Sequence, residues 1–277
     1  MATGLVTAGN GAAALLTAPL LNMLINQYGV LSALNTTGLV FIAIAVLCGM
    51  VCRSAPNDYR PAGWTPSTSH DQADHSLNWQ AMMKSPVFYL MVTLMASGAL
   101  SGLMIAANAS PIGQYMFALS ASTAALYVGL YAASNAAGRF IWGAVSDRIG
   151  GANALIVIFL LIASMLMLLA SSTTTTGFAV AICGIGIAFG GVMGVFPSLV
   201  SQRFGARYFG VNYGIMFCGY AIAAAIGPQL AVSMAAANGG DFSQAFYIAI
   251  IICLVGAALA VLLSRSLLQW RCAQAQG

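Results

Sequence analysis

The sequence predicts an all-α polytopic protein that crosses a membrane about eight times. Of its 277 residues, 60% are hydrophobic and only 5% are charged, so the chain lacks the charged surface that a soluble globular domain needs. A bilayer core takes about 20 apolar residues of helix to cross, and uncharged runs of that length occur eight times. These predicted spans cover residues 3–26, 30–52, 86–108, 122–145, 153–172, 176–201, 210–236 and 243–264.

One long polar stretch, residues 53–85, separates the first two predicted spans from the other six. It holds three of the five Asp residues and both histidines, His70 and His75. Because these histidines lie in a Ser-, Thr- and Asp-rich segment, we interpret them as solvated loop residues rather than metal ligands. No metal or other cofactor is predicted. The end of the stretch, residues 77–84, predicts a short amphipathic helix with Trp79 at headgroup level.

The distribution of basic residues predicts the orientation in the membrane. When the eight spans are threaded alternately, every Lys and Arg except Arg139 falls on one side, and the opposite loops carry only one charged residue, Asp241. By the positive-inside rule the basic side is cytoplasmic. The prediction is therefore an integral protein of the cell membrane (inner or plasma membrane) with both termini cytoplasmic. The excess of basic residues behind the net charge of +4 is explained by this role in orientation. No nucleic-acid binding is predicted.

The sixth predicted span carries glycines at a regular spacing of four residues, Gly186, Gly190 and Gly194. Small residues at this spacing form a smooth helix face on which a second helix packs closely. Helix packing therefore accounts fully for these glycines.

Arg139 is the only ionisable residue well inside a predicted span, the fourth one. A charge toward the bilayer centre costs about 3 to 17 kcal/mol unless it faces protein or water. Its helical neighbours at three, four and seven residues are small or polar, apart from Trp142, and this favours a wet cavity. One interpretation is an anion site at mid-depth; the alternative is an arginine that reaches toward the cytoplasm or binds backbone carbonyls.

No predicted span contains an acidic residue deep enough to neutralise Arg139 or to carry a proton. An anionic substrate is then the natural counter-ion, and exchange or facilitated movement is favoured over proton coupling through a carboxylate. An intramembrane enzyme would need a nucleophile with a base, or metal ligands, at membrane depth. The chain has no Glu and no His in a predicted span, so no enzyme is predicted and no catalytic or metal-binding residue is assigned.

Residues 143–151, GAVSDRIGG, resemble the cytoplasmic G-x-x-x-D-R-x-G signature of the major facilitator superfamily. Together with FPSLVSQRFG (196–205) and NYG (212–214), residues 135–150 are similar to its oxalate/formate antiporter family, which is close to the monocarboxylate porters. Members of the superfamily have two six-helix bundles and alternating access to a central site. The resemblance implies that residues 1–52 are the last two helices of the N-terminal bundle, 53–85 the central cytoplasmic loop, and 86–277 the complete C-terminal bundle with a short tail.

On this alignment the first four helices of the fold are missing, which suggests a truncated gene, a misassigned start or a fragment. The missing N-terminal helices are then a candidate partner. The resemblance also implies a conformational gate formed by the signature residues, in which Asp147 caps or pairs across the cytoplasmic helix ends and Arg148 balances the charge. The gate residues are Gly143, Asp147, Arg148 and Gly150.

For Arg139 the resemblance implies carboxylate binding, because the dicarboxylate exchangers of the family use an arginine here and a lysine in the next-to-last helix. This chain has Tyr220 in the region of that lysine, so a monocarboxylate with a hydrogen bond from Tyr220 fits better. Asn135 and Tyr131 are further candidates for orienting the anion. The leading hypothesis is a transporter of small organic anions within the lipid bilayer; the alternative is an inactive or partner-dependent fragment of one.

Overall fold

The fold is given by a computed structural model, which describes residues 23–51 and 76–275 together with residues 17, 20 and 21. The described chain is helical throughout, without a β-strand in these residues. The helices are α1 (Val30–Val51), α2 (Trp79–Lys84), α3 (Pro86–Phe117), α4 (Ala121–Ile149), α5 (Gly151–Ser171), α6 (Thr175–Phe204), α7 (Phe209–Met216), α8 (Cys218–Ala237) and α9 (Ser243–Ala275). The predicted all-α fold class is confirmed.

Six described helices are long and apolar enough to cross a membrane: α1, α3, α5, α6, the pair α7 and α8 together, and α9. A helix pairs most of its own backbone N–H and C=O groups, as a lipid environment requires. Helix α4 is also long enough, with 29 residues, but its polar residues lower its hydropathy below that of the other six. These seven correspond to the second to eighth predicted spans; most of the first lies outside the described residues.

The chain divides into two compact units, residues 13–72 and the remainder. In the smaller unit, α1 is a 22-residue apolar helix in which only Ala33 is buried. In the larger unit, helices α2 to α9 enclose a continuous apolar core. The predicted domain boundaries at 52 and 85 stay predictions, because residues 52–75 lie outside the described part of the chain.

Close approach of small residues holds the helices of the larger unit together. A methyl group built on Gly219 of α8 would lie 2.6 Å from the carbonyl oxygen of Val92 in α3, and one on Gly227 would lie 2.8 Å from that of Leu100. Such distances leave no room for a side chain. In a membrane, where lipid is as apolar as Leu, this tight packing is a main source of helix association.

Two glycines with left-handed backbone terminate helices on the predicted cytoplasmic side. Gly150 (φ +84°) is the single residue between α4 and α5, and Gly205 (φ +84°) follows α6. Because an L-residue rarely adopts such a φ, glycine is favoured at both points. On the opposite side, Ser120 and Thr174 cap the next helices, accepting hydrogen bonds from the N–H groups of Thr123 and Gly177 at 3.2 and 3.1 Å.

The segment before α3 is fixed to the connection between α6 and α7. The Leu77 N–H donates to the Phe204 carbonyl at 2.9 Å, and Asn212 Nδ2 donates to the Leu77 carbonyl at 2.8 Å. Helix α2 follows with Asn78 as its N-cap, and it buries Met82 completely while Trp79 stays 46% exposed. The short helix expected near residues 77–84 is therefore present, and it belongs to the larger compact unit.

Candidate functional site

The guanidinium of Arg139 is enclosed by protein at mid-depth of α4. The residue is 9% exposed, and it precedes the end of the helix at Ile149 by ten residues, which corresponds to about 15 Å. Its Nε donates a hydrogen bond to Oδ1 of Asn135, one turn earlier, at 3.2 Å. This bond fixes the direction of the planar fork of N–H donors, which is the geometry that binds carboxylates.

Asn135 links Arg139 to the neighbouring helix α6. The residue is 5% exposed, and its Nδ2 donates to the Gly186 carbonyl at 3.5 Å. One side-chain amide therefore accepts from the arginine and donates to α6. This makes Asn135 a residue that positions the guanidinium, in addition to its predicted role as a direct contact for the anion.

Tyr131 lies one further turn along the same face of α4 and bridges to α3. It is 5% exposed, and its hydroxyl donates to the Gly102 carbonyl at 2.7 Å. A phenol has a single proton to donate. Because that proton is already engaged by Gly102, Tyr131 would have to give up this bond to donate to a substrate.

The glycines of α6 lie directly against the backbone of this part of α4. A methyl group on Gly186 would lie 2.9 Å from the Tyr131 carbonyl oxygen, and one on Gly194 would lie 2.7 Å from that of Arg139. On Gly190 it would overlap the Asn135 carbonyl oxygen. The glycine face of α6 thus supports the turn of α4 that carries the arginine.

Two tyrosines from the next-to-last span come near the Arg139 charge. Tyr220, at the start of α8, and Tyr213, in α7, lie within electrostatic range of the Arg139 guanidinium, as does Tyr131. The structure therefore brings together all four residues of the predicted anion site, Arg139, Asn135, Tyr131 and Tyr220. Their roles as binding residues stay predictions.

Sequence reasoning missed Tyr213. The signal that could have found it is the spacing of aromatic residues at 209, 213, 217 and 220, which places all four on one face of a helix. In an apolar run such a pattern is also typical of core packing. The sequence alone therefore does not distinguish a binding face from a packing face; that requires knowing which helices pack on this span.

The face of α4 between Arg139 and the end of the helix at Ile149 is packed rather than wet. Trp142 is 8% exposed and its ring lies against Gly191 of α6, while Ser146 is 7% exposed and donates back to the Gly143 carbonyl at 2.9 Å. The expectation of a wet cavity along this whole face is therefore wrong for these two residues. The large Trp142 side chain of α4 fits against the small Gly191 of α6, a pairing that periodicity in α4 alone could not show.

The predicted gate residues surround the tight connection between α4 and α5. Gly150 forms this connection, and its N–H donates to the Ser146 carbonyl at 2.9 Å. Asp147 and Arg148 are exposed at the end of the helix, and Gly143 is buried. This geometry gives the motif a defined turn; its role as a conformational gate stays a prediction.

Carboxylates and metal ligands are scarce in the described part of the chain. The acidic residues there are Asp147 and Asp241, both exposed and both at helix ends. Among residues 23–51 and 76–275, no group of three or more His, Cys, Asp or Glu side chains could hold a metal ion. His70 and His75 lie outside the described residues.

Long apolar helices that pack through glycines around an enclosed arginine define a polytopic helical membrane protein with a charged interior position. Residues 1–228 match the family model of the Major Facilitator Superfamily, and the chain belongs to this superfamily. Its members are membrane transporters and not enzymes.

Two curated relatives give the resemblance more detail. The chain is 29% identical to the oxalate:formate antiporter of Oxalobacter formigenes over 263 residues, which cover 94% of this chain and 60% of the relative. It is 27% identical to the uncharacterized MFS-type transporter YhjX of Escherichia coli (strain K12) over 157 residues. These residues cover 56% of this chain and 39% of that protein. The resemblance to the oxalate/formate antiporter family is confirmed, and the chain spans less than two thirds of the length of either relative.

A solved structure shows the same fold. It is the crystal structure of a bacterial homolog of the human lysosomal transporter Spinster, in an inward-facing and unoccupied conformation. The TM-score is 0.57 at 15% sequence identity, and the match covers 96% of this chain and 68% of that one. At this identity the similarity concerns the fold alone.

Proposed function

We propose that the chain functions in the transport of small organic anions across a membrane by alternating access, with a singly charged carboxylate as the preferred substrate. The observation that carries the proposal is the enclosed guanidinium of Arg139, 9% exposed on a helix of membrane-spanning length. The Nε hydrogen bond to Asn135 orients the guanidinium, whose planar fork of N–H donors matches a carboxylate. No predicted span contains an acidic residue at this depth, so a bound anion would balance the charge.

The relatives support the same substrate class. The Oxalobacter formigenes protein is an oxalate:formate antiporter, and both of its named substrates are small carboxylates. By analogy, we propose exchange of carboxylates for this chain, and formate is the simplest singly charged probe.

Tyr220 supports a substrate with one negative charge. Its neutral hydroxyl lies within electrostatic range of the Arg139 guanidinium and can donate one hydrogen bond to a bound carboxylate. A dicarboxylate would bring a second negative charge, to which a phenol can donate a hydrogen bond but which it cannot neutralise. A monocarboxylate needs only one cation together with neutral hydrogen-bond donors.

The arrangement of basic residues supports the predicted orientation, with both termini in the cytoplasm. Arg148, Arg203 and Arg207 lie at or just beyond helix ends on the side where α4 and α6 finish. Arg265 lies within α9, about 33 Å along the helix from its start on the opposite side. Because basic loops stay preferentially on the cytoplasmic side, the Gly150 and Gly205 turns are assigned to that side.

Transport by this chain alone and transport that requires a partner are two candidates within the same proposal. The chain spans 60% of the length of the antiporter that it matches. A site built on one six-helix bundle can bind an anion, while alternating access in this fold uses two bundles moving around the site.

The proposal is tested by replacing Arg139 with Gln and measuring uptake of radiolabelled formate in cells that produce the chain. Removing one partner of an enclosed charge pair costs about 2 to 5 kcal/mol, so uptake should fall at least about thirtyfold. Arg265→Gln removes the same charge from an exposed position of α9 and should leave uptake within about twofold of the wild type. Equal amounts of both variants in the membrane make the comparison valid. Undiminished uptake by the Arg139 variant would contradict the assignment.

A further inference from the structure

Helix α7 and the first turn of α8 present a stripe of four aromatic rings, formed by Phe209, Tyr213, Phe217 and Tyr220. The rings of Phe209 and Tyr213 are stacked with centroids 5.3 Å apart, Tyr213 meets Phe217 edge-on at 5.3 Å, and Phe217 stacks on Tyr220 at 5.0 Å. Aromatic pairs in these geometries stabilise one another. The tyrosine rings, and with them the directions of their hydroxyls, are therefore held in place.

The aromatic stripe is not part of the closed core. All four of its residues are half-buried, whereas Asn212, Met216 and Gly219 on the adjoining face of the same helix are buried. Gly219 packs against the backbone of α3 at Val92. The buried face of this span therefore lies against α3, while the two tyrosines of the less buried aromatic stripe lie within electrostatic range of Arg139.

The two tyrosine hydroxyls of the stripe are uncommitted in the described part of the chain. Neither Tyr213 nor Tyr220 makes a hydrogen bond to another described residue, and neither hydroxyl is among the fully buried polar atoms that lack a partner. In contrast, the hydroxyl of Tyr131 is occupied by the Gly102 carbonyl. Two accessible phenol donors thus accompany one guanidinium.

The tyrosines lie at different depths. The crossings of α5 and α6 place the end of α4 and the start of α7 on the same side of the membrane, the side of Arg203 and Arg207. At the helical rise, Arg139 lies about 15 Å from this end, Tyr220 about 17 Å and Tyr213 about 6 Å. Tyr220 is thus level with Arg139, while Tyr213 lies about 10 Å closer to the Arg203 side.

We propose that Tyr213 forms a second contact point for the transported anion, between the level of Arg139 and Tyr220 and the membrane face that carries Arg203 and Arg207. This inference rests on the proposed function. A carboxylate that leaves Arg139 toward this face passes from the Tyr220 hydroxyl to the Tyr213 hydroxyl while it is still attracted by the arginine charge. A neutral hydrogen-bond donor suits such a step, because it binds the anion strongly enough to admit it and weakly enough to release it.

The competing explanation is that the stripe serves packing alone. It predicts that the rings matter and that the Tyr213 hydroxyl does not. Tyr213→Phe separates the two explanations, since it keeps the ring stacked between Phe209 and Phe217 and removes only the hydroxyl.

The test uses the full chain in membrane vesicles of known orientation, and formate at varied concentration on one side at a time. Losing one hydrogen bond to the anion should raise the half-saturating formate concentration of Tyr213→Phe about three- to tenfold from the Arg203 side. From the opposite side the value should stay within about twofold. Tyr220→Phe should raise it from both sides. The control is Tyr115→Phe, which changes a tyrosine that is 75% exposed near the end of α3.

The outcomes separate this inference from the proposed function. If formate uptake persists in Arg139→Gln, or the wild-type chain neither takes up nor binds formate, the proposed function fails and this inference fails with it. If Arg139→Gln abolishes uptake while Tyr213→Phe behaves like Tyr115→Phe, only the role of Tyr213 is overturned. An equal effect of Tyr213→Phe from both sides also overturns it, because the residue would then belong to the central level.

Tyr213→Met, which keeps an apolar side chain, should reproduce the side-specific effect, and its failure to do so would count against the proposal.

Discussion

At the scale of single residues, the surroundings of Arg139 are built to orient its charge. Asn135 accepts from Nε, and the backbone of the arginine itself lies against Gly190 and Gly194 of α6. Tyr131, which the sequence presents as a ligand candidate, is tied to α3 through Gly102. We therefore propose that Tyr131 positions the site and that the tyrosines of the aromatic stripe donate to the substrate.

The first residue-scale prediction concerns the charge of the substrate. Tyr220→Lys adds a cation level with Arg139, so a second carboxylate gains a direct partner. We expect oxalate to compete with formate uptake at least about tenfold more effectively in this variant than in the wild type, a difference of about 1.4 kcal/mol.

The measurement is the oxalate concentration that halves formate uptake. Tyr220→Phe serves as its control, because it alters the same position without adding charge and should not improve competition by oxalate. If oxalate competes equally well with the wild type and with Tyr220→Lys, then Tyr220 does not set the charge of the substrate.

At the scale of helices, the contact between α4 and α6 determines where the arginine lies. The three glycines of α6 allow its backbone to touch that of α4 at Tyr131, Asn135 and Arg139. This contact, and not the propensity of either helix, fixes the depth and direction of the guanidinium. A change in the glycine face should therefore disturb both stability and the site.

Gly190→Ala tests this packing. Its methyl group would overlap the Asn135 carbonyl oxygen, so the helices must separate, at a cost of about 1 to 3 kcal/mol. The midpoint of thermal unfolding in detergent should fall. Gly129→Ala in α4 is the matched control, because a methyl group there has nothing within 4 Å, and the gain in helix propensity should hold or raise its midpoint. Equal midpoints for the two variants would show that this contact does not limit stability.

Helix positions could be predicted from the sequence more completely than helix ends. The fourth span was expected at 122–145, and α4 runs from Ala121 to Ile149, because Ser120 and Gly150 set its ends by capping while hydropathy reports only the apolar middle. The third span was expected to end at 108, whereas α3 continues through Pro111 to Phe117. In both cases turns beyond the apolar run remain helical.

The candidate site could be predicted only in part, because its components come from different helices. Arg139 is evident from the sequence since a lone charge in an apolar run is costly. The hydrogen bond from Tyr131 to Gly102 joins residues 29 apart in sequence, and no local pattern contains that pairing. Tyr213 was missed for the same reason, because its accessibility depends on which face of the span packs on α3.

At the scale of the molecule, the larger compact unit contains every residue of the candidate site. Helices α3, α4, α6, α7 and α8 supply the site, and α5 and α9 pack behind them through contacts such as Gly256 against Phe159. Superfamily membership rests on the match over residues 1–228 and on the shared fold. All residues of the proposed anion site are therefore contained in one bundle.

The most direct test of the central claim is equilibrium binding of radiolabelled formate to the purified full chain in detergent, without any partner protein. The wild type should bind formate, and Arg139→Gln should bind it at least about thirtyfold more weakly, while Arg265→Gln should bind as the wild type does. Equal formate affinity in the wild type and the Arg139 variant would contradict the claim that Arg139 is the counter-charge of the transported anion.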